Sequence, residues 1–368
     1  MLLCIVLAIL TVDAATIPLV MLKSYESAKC LDGSLGGYYM VRNVSSTKFI
    51  IELEGGGECA SLSQCSAKLH TNLGSSTKFA KTLSSLNFLN DLNESRNPYF
   101  SKYNHIFIPY CSQDLWTGTR WRETDPFYQT FYFGGHEIFK SVIQDVEMEL
   151  NHATEIILTG ESAGGIGVWN NVDFLAAQFP KAKVYAVPIA GFYFFASPYT
   201  GPHHTSSVLV DFRENAWPSH YELWGSYVDQ KCKDNLKEPS HCVLSNYSFP
   251  YIETPAFIVE AQSDRVVLTD HDWVPSNEDL WTDDTREYLN TWRQNMTNAI
   301  FNFALTLRPD DGIFFPSCFI HTDFNSTSPL INNTSYIEAV AKWIQGNGKQ
   351  KHVWKDDCGL LCNPTCSH

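Results

Sequence analysis

Long apolar runs are scarce in this chain of 368 residues. After residue 15 none reaches the ~18 consecutive apolar residues that cross a bilayer as a helix, so no integral membrane segment is expected. Positive charge is also in short supply. Lys and Arg number 26 against 40 Asp and Glu, a formal charge of −14, which argues against nucleic acid or an anionic membrane as the main partner. Internal repeats, heptads and low-complexity tracts are missing, so solenoids, coiled coils and disordered linkers drop out. No Gly-Lys-[Ser/Thr] follows a glycine cluster, which makes a phosphate loop a poor reading, and no His-Glu-x-x-His occurs, which removes the commonest zinc hydrolase. Charged residues amount to only 18% and apolar ones to 44%, a balance that supports a large core and excludes global disorder. The length allows about two domains, although large α/β enzymes run this long as one. Aromatics at 14% suit a packed core or a cleft for organic groups.

The first fifteen residues differ from the rest. Leu2 to Leu10 is an unbroken apolar run containing Cys4, followed by the small residues Ala14 and Ala15. The run is too short to span a membrane and ends where a signal peptidase cuts, so 1–15 reads as a secretory signal and the product as secreted. Of the eleven cysteines, Cys4 leaves with the signal and ten remain. An even set in a secreted chain implies disulfides. The CxxxC spacings near the end also fit zinc, but thiolate sites are uncommon in oxidising compartments. Cys59 and Cys65, beside a glycine loop, form the simplest local pair. Cys232 and Cys242 flank a polar stretch and close a small loop. Cys30 and Cys111, each next to a strand, pair with one another. Asn-x-Ser/Thr sequons at Asn43, Asn93, Asn246, Asn295, Asn325, Asn332 and Asn333 fit a glycoprotein.

Short, almost wholly apolar runs recur at 49–53, 105–110, 155–159, 184–189 and 256–261, as expected of strands buried on both faces. Phe139, Val142, Ile143, Val146 and Leu150 have helical spacing. So do Val168, Trp169, Val172, Leu175, Ala176 and Phe179, which stop at Pro180. Strands alternating with helices predict a mostly parallel sheet with helices on both faces. Residues 192–250, with Pro198, Pro202, Pro218 and Pro239, break the alternation. They read as a lid-like, cap-like excursion over the site within a single α/β domain, 16–368, that ends in a disulfide-tied tail at about 352–368.

Between a strand and a helix stands Thr159-Gly160-Glu161-Ser162-Ala163-Gly164-Gly165. Gly-x-Ser-x-Gly in that position is a nucleophile elbow. The serine occupies a tight turn, its neighbours must be small, and the amide of Ala163 at the helix start can hold an oxyanion. Serine needs a base, and the base needs a carboxylate, in the order Ser, acid, His on this fold. His271, His321 and His352 are the late histidines. His321 follows the strand-to-loop run 312–320 and is the fitting base. His271, between Asp270 and Asp272, reads as a solvated surface residue. Asp264, just after the run 256–261, is the acid, with Asp283, Asp284 and Asp311 as alternatives. The pair His203-His204 lacks a third ligand at metal spacing. A second glycine cluster, Leu53-Glu54-Gly55-Gly56-Gly57-Glu58-Cys59, follows a strand and reads as the other half of an oxyanion hole, or else as a hairpin turn.

These blocks together resemble the pectin acetylesterase/Notum family of carboxylesterases. LEGGGEC at 53–59 is similar to its LEGGGWC, and GESAGG at 160–165 to its elbow. KCLDGS at 29–34, IPYCSQDLWTG at 108–118, SCFIH at 317–321 and the cysteine-rich tail 358–366 resemble further blocks in the same order. The resemblance implies an α/β-hydrolase fold, Ser162 as nucleophile, Asp264 as acid, His321 as base, and oxyanion amides from Gly56, Gly57 and Ala163. It implies the pairs Cys318–Cys366 and Cys358–Cys362 among three combinations open to the four tail cysteines. Glu58 stands where the plant-type motif has Trp, so the pocket wall differs there. Arg265-Val266-Val267 replaces the aromatic and Gln that often follow the family's Asp, and 192–250 shows no match. The expected activity is ester hydrolysis with no metal and no organic cofactor, on an acylated polysaccharide or a lipidated protein, with O-acetyl on a glycan favoured because Glu58 is a poor neighbour for lipid. A catalytically silent binding protein on the same fold is the rival class.

Overall fold

A computed structural model describes residues 16–124, 129–206, 212–304, 309–346 and 352–366; the expected signal segment 1–15 lies outside them. The strands, in chain order, are β1 (Ile17–Met21), β2 (Gly37–Val41), β3 (Lys48–Leu53), β4 (Thr82–Leu83), β5 (Asn104–Ile108), β6 (Arg120–Thr124), β7 (Thr130–Phe133), β8 (Glu155–Glu161), β9 (Lys183–Ile189), β10 (Phe257–Val259), β11 (Ser263–Asp264), β12 (Gly312–Phe315), β13 (Phe319–Ile320) and β14 (His352–Lys355). The helices are α1 (Leu62–Lys68), α2 (Gly135–Asp145), α3 (Glu147–Leu150), α4 (Ala163–Gln178), α5 (Trp217–Trp224), α6 (Gln230–Asn235), α7 (Ser245–Ser248), α8 (Asp283–Asn298) and α9 (Tyr336–Gln345).

Ten strands form one sheet in the order β14-β12-β10-β9-β8-β3-β5-β2-β1-β4. From β14 to β5 every pairing is parallel. Along the edge, β5-β2-β1-β4, every pairing is antiparallel. The apolar runs read from sequence are its central strands, and their continuous hydrophobicity has a simple cause. Successive side chains point to opposite faces, and both faces are covered. Ile156 and Leu158 of β8 belong to the buried cluster that includes residues of α2 and α4, whereas Ile157 belongs to the one that includes Ile337 and Val340 of α9. The antiparallel edge was not read from sequence, because Gly37–Val41 carries no alternation to separate it from a parallel strand.

The excursion after β9 does not stand apart. Trp217 and Trp224 of α5, Val243 and Phe249 share one buried cluster with Val168, Trp169 and Val172 of α4. Beyond the carboxyl ends of β10 and β12 a separate two-stranded parallel pair, β11-β13, sets Ser263 beside Phe319 and Asp264 beside Ile320. Two loops distant in sequence are thereby brought to the end of the sheet where β8 also terminates.

Candidate active site

Ser162 alone separates β8 from α4, so the helix begins at Ala163, a turn earlier than the sequence spacing suggested. The serine has φ 56° and ψ −121°, a sparsely populated conformation that costs a non-glycine residue about 1–3 kcal/mol. Neighbouring backbone holds it there. The Ser162 amide donates to Ile189 O at 2.9 Å, and Ser162 O accepts from the Ile166 amide at 3.1 Å. The flanking residues have to be glycine. A Cβ on Gly160 would lie 2.6 Å from Gly164 O and 2.7 Å from Leu53 O, and one on Gly164 would collide with Leu53 O. The Ala163 amide, at the first position of α4, has no intrahelical acceptor and faces the site with the positive end of the helix dipole.

The glycine loop after β3 meets this turn. Gly57 has φ +69° with open space where a Cβ would be, and Gly56 has φ +146°. Among the described residues no acceptor takes the amides of Gly56, Gly57 or Ala163. The loop is braced from behind by the 108–118 block. Cys59 N donates to Gln113 O at 3.1 Å, and Trp116 Nε1 donates to Glu54 O at 2.9 Å. Tyr110 N donates to Glu54 Oε2 at 2.8 Å. Asp114 in turn accepts from Ser112 Oγ at 2.7 Å and from the Gly135 amide at 2.8 Å. The bond Cys59–Cys65 ties the loop to α1, and Trp224 Nε1 of α5 donates to Cys59 O at 2.8 Å.

The structure brings Asp264 and His321 together. His321 Nδ1 and Asp264 Oδ2 are 2.6 Å apart, and Asp264 Oδ1 accepts the Val267 amide at 2.9 Å. Asp264 is fully buried and His321 is 7% exposed. His321 Nε2 makes no hydrogen bond among the described residues, while Ser162 lies in the same cavity as the buried Tyr193. Ser162 and His321 line one cavity of about 370 Å³ with Gly55, Gly56, Gly57 and Ala163. Such a gap between nucleophile and base is common before substrate is bound. The alternatives lie elsewhere. Asp283 and Asp284 open the first turn of α8, Asp311 Oδ1 accepts the Ala256 amide at 2.9 Å, and the His352 ring stacks on Trp354.

One expectation needs correcting. His271 is not a solvated surface residue: it is 6% exposed, packs 3.9 Å from the Phe212 ring and lines the cavity. A five-residue helical turn after β11, Val267–His271, folds it inward, which flanking aspartates do not reveal. Tyr193, Phe212, Leu115 and Ile166 also line the cavity. Leu115 falls in the 108–118 block and Ile166 just after the elbow, whereas Tyr193 and Phe212 carried no motif and only the aromatic density of 192–250 hinted at them.

The site is acidic. Glu58 and Glu161 contribute to its wall, and among the described residues no Lys or Arg does. Burial pushes Glu161 up to about 8 and Glu54 up to about 7. Behind Asp264, the buried Glu260 accepts the amides of Phe192 at 2.9 Å and Ala261 at 3.0 Å. Burial first, and then the charge of Asp264, raise its carboxyl well above the usual range.

Disulfides join Cys30 to Cys111, Cys59 to Cys65, Cys232 to Cys242, Cys318 to Cys366 and Cys358 to Cys362, the same partners named from spacing and resemblance. Cys318–Cys366 anchors the loop carrying His321 to the tail, helped by Ser317 N donating to Asp356 Oδ2 at 2.9 Å. Among the described residues no group of three or more His, Cys, Asp or Glu is placed to hold a metal ion. Of the sequon asparagines, Asn93, Asn295, Asn325, Asn332 and Asn333 are exposed, whereas Asn43 and Asn246 are half-buried.

The model of the family described as Pectinacetylesterase matches residues 10–367. The chain belongs to the pectinacetylesterase family. Pectin acetylesterase 5 of Arabidopsis thaliana is 30% identical over 366 residues, covering 93% of this chain and 82% of the relative. Palmitoleoyl-protein carboxylesterase notum2 of Xenopus laevis is 28% identical over 364 residues, covering 92% and 71%. A solved structure of the Wnt deacylase Notum from Drosophila superposes with a TM-score of 0.83 at 25% identity, covering 96% of this chain and all of that one. The chain is an ester-hydrolysing enzyme with an α/β-hydrolase fold.

Proposed function

We propose that the protein is a secreted serine carboxylesterase in which Ser162 attacks the ester carbonyl. His321 takes the serine proton at Nε2 once the Ser162 side chain turns towards it. Asp264 holds His321 Nδ1–H and stabilises the imidazolium. The amides of Gly57 and Ala163, with Gly56 beside them, receive the oxyanion. His321 then protonates the departing alcohol, and activates water to release the acid from the acyl-enzyme. The 2.6 Å contact between Asp264 and His321 in the cavity of Ser162 carries this reading. Secretion is supported by the five disulfides and the N-terminal apolar run. No described helix is long and apolar enough to cross a membrane. The exposed sequons are candidates for glycosylation.

For the acyl group we favour acetyl on a glycan. Glu58 and Glu161 stand in the cavity wall, and a carboxyl is a costly neighbour for a buried alkyl chain. The apolar part of the same wall, Leu115, Ile166, Phe212 and Val266, supports a second reading, removal of a fatty acyl group from a protein. Two measurements on purified protein test these points. A fluorophosphonate should label Ser162 and no other residue, and Ser162→Ala should be folded and silent; retained turnover would remove the mechanism. In a series of p-nitrophenyl esters from acetyl upward, kcat/KM should fall as the chain lengthens. A rise of roughly fourfold per methylene, the value of ~0.8 kcal/mol for a buried CH₂, would replace the acetyl reading with the fatty-acyl one.

A further inference from the structure

Glu161, immediately before the nucleophile, is not required by the elbow itself. Glu52 pairs with Thr159 and Leu53 with Gly160, so by two-residue periodicity Glu52, Glu54, Thr159 and Glu161 project from one face of the sheet. That is the face covered by α9. Glu161 Oε1 accepts the Gly55 amide at 2.8 Å. Gly55 sits so close to the turn that a Cβ there would lie 2.5 Å from Glu161 O and 3.0 Å from Ser162 Cβ. The first amide of the oxyanion loop is therefore held by the residue adjoining the nucleophile.

The other carboxyl oxygen, Oε2, is buried and makes no hydrogen bond among the described residues, as is true of Glu52 Oε2 and the Tyr336 hydroxyl of α9. The groups acting here are all acidic or neutral. Glu54 bears on Glu161, and Glu161, Glu54 and the Asn90 amide bear on Glu52. Tyr336 feels Glu52, Asp91 and Glu161. Behind Asn90, His105 Nδ1 lies 2.8 Å from Asn90 Oδ1, and burial pushes this imidazole down to about 4, so it is neutral. Among the described residues no Lys or Arg acts on them. Two carboxyls buried on adjacent strands without a counter-cation are most stable when protonated. Burial pushes Glu161 up to about 8 in spite of the Gly55 amide, and raises Glu52 well above the carboxylate range.

We propose that Glu161 is a positioning residue of the oxyanion hole: as a neutral acid it pins Gly55 against the nucleophile turn, and its ionisation puts a negative charge beside the amides that must stabilise an oxyanion and so suppresses turnover. The proposal rests on Ser162 being the nucleophile. Because the raised value belongs to an acid, the active form persists below about pH 8 and is lost above it.

The test is a pair of variants with pH profiles of kcat and KM on a p-nitrophenyl ester. Glu161→Ala loses the acceptor for Gly55, and kcat should fall roughly 10- to 100-fold with KM moving less than about threefold, since a displaced hole donor costs up to ~10³. Glu161→Gln keeps an acceptor and cannot ionise. It should recover most of that loss and hold its activity to about pH 9, where the wild type is down roughly tenfold. An alkaline limb unchanged in Glu161→Gln, or a wild type without such a limb, overturns the proposal. Infrared difference spectroscopy supplies a readout independent of turnover. A neutral carboxyl band should titrate with the alkaline limb and be missing in Glu161→Gln, and its persistence there also overturns the proposal. If Glu161→Ala does not fold, the Gln variant and the infrared band decide. If Ser162→Ala keeps its activity while the band behaves as expected, the mechanism fails and the protonated pair stands.

Discussion

Replacing Asp264 by Asn tests the assignment of the acid with almost no change of shape. Asp264 makes two bonds, accepting the Val267 amide at Oδ1 over 2.9 Å and holding His321 Nδ1 at Oδ2 over 2.6 Å. An Asn can keep its carbonyl on Val267 N–H, but its NH₂ then faces Nδ1. That forces Nδ1 to accept and leaves the proton on Nε2, where the base must be empty. The opposite orientation restores the tautomer but opposes NH₂ to a buried N–H, a penalty of about 1–3 kcal/mol, and still provides no charge for the imidazolium. The first orientation therefore prevails. The expected fall in kcat near neutral pH is between about 10³ and 10⁴, or roughly 4–5.5 kcal/mol of transition-state stabilisation. Folding should not suffer. The buried Glu260 is held by the Phe192 and Ala261 amides, and loss of the Asp264 charge relieves one cause of its raised proton affinity. Steady-state hydrolysis of a p-nitrophenyl ester beside a thermal melt separates the two effects. A folded variant with more than about a tenth of wild-type kcat would refute Asp264 as the acid, whereas a large fall in Tm would refute the account of its surroundings.

Gly164→Ala places a Cβ against Leu53 O. The resulting strain should cost about 1–3 kcal/mol of stability. The shift of Ser162 and the Ala163 amide should lower kcat by about 10², and a variant with normal activity would mean the turn is not where the chemistry occurs. Stability should also depend on pH through the buried acids. Burial raises Asp114 to about 6, Glu54 and Asp272 to about 7 and Glu161 to about 8. A raised acid binds more protons folded than unfolded between its two values, so stability falls as pH rises from about 4 towards 8. Melting scans across that window should show a declining Tm, and a rising Tm would contradict it.

The parts of this protein legible in its sequence are those that local sterics dictate. Strands buried on both faces cannot alternate, so 155–159 and 184–189 read as β8 and β9 from composition alone. A serine forced to positive φ between strand and helix needs glycines around it, so 160–165 announces a nucleophile turn. Asp264 and His321 were readable as candidates because each follows an apolar run, but nothing in their spacing shows that they touch. They stand 57 positions apart in the chain, and their meeting is a product of the pairing of β11 and β13, two residues each. Strands that short carry no periodicity. The cavity wall lies further still from sequence. His271 has the neighbours of a surface residue and turns inward, and Tyr193 and Phe212 come from an excursion without pattern. The protonation of Glu161 is likewise invisible in one dimension. It depends on Glu52 lying on the adjacent strand, on Tyr336 closing α9 over them, and on no cation among the described residues reaching the pair, and only the packed sheet brings those conditions together.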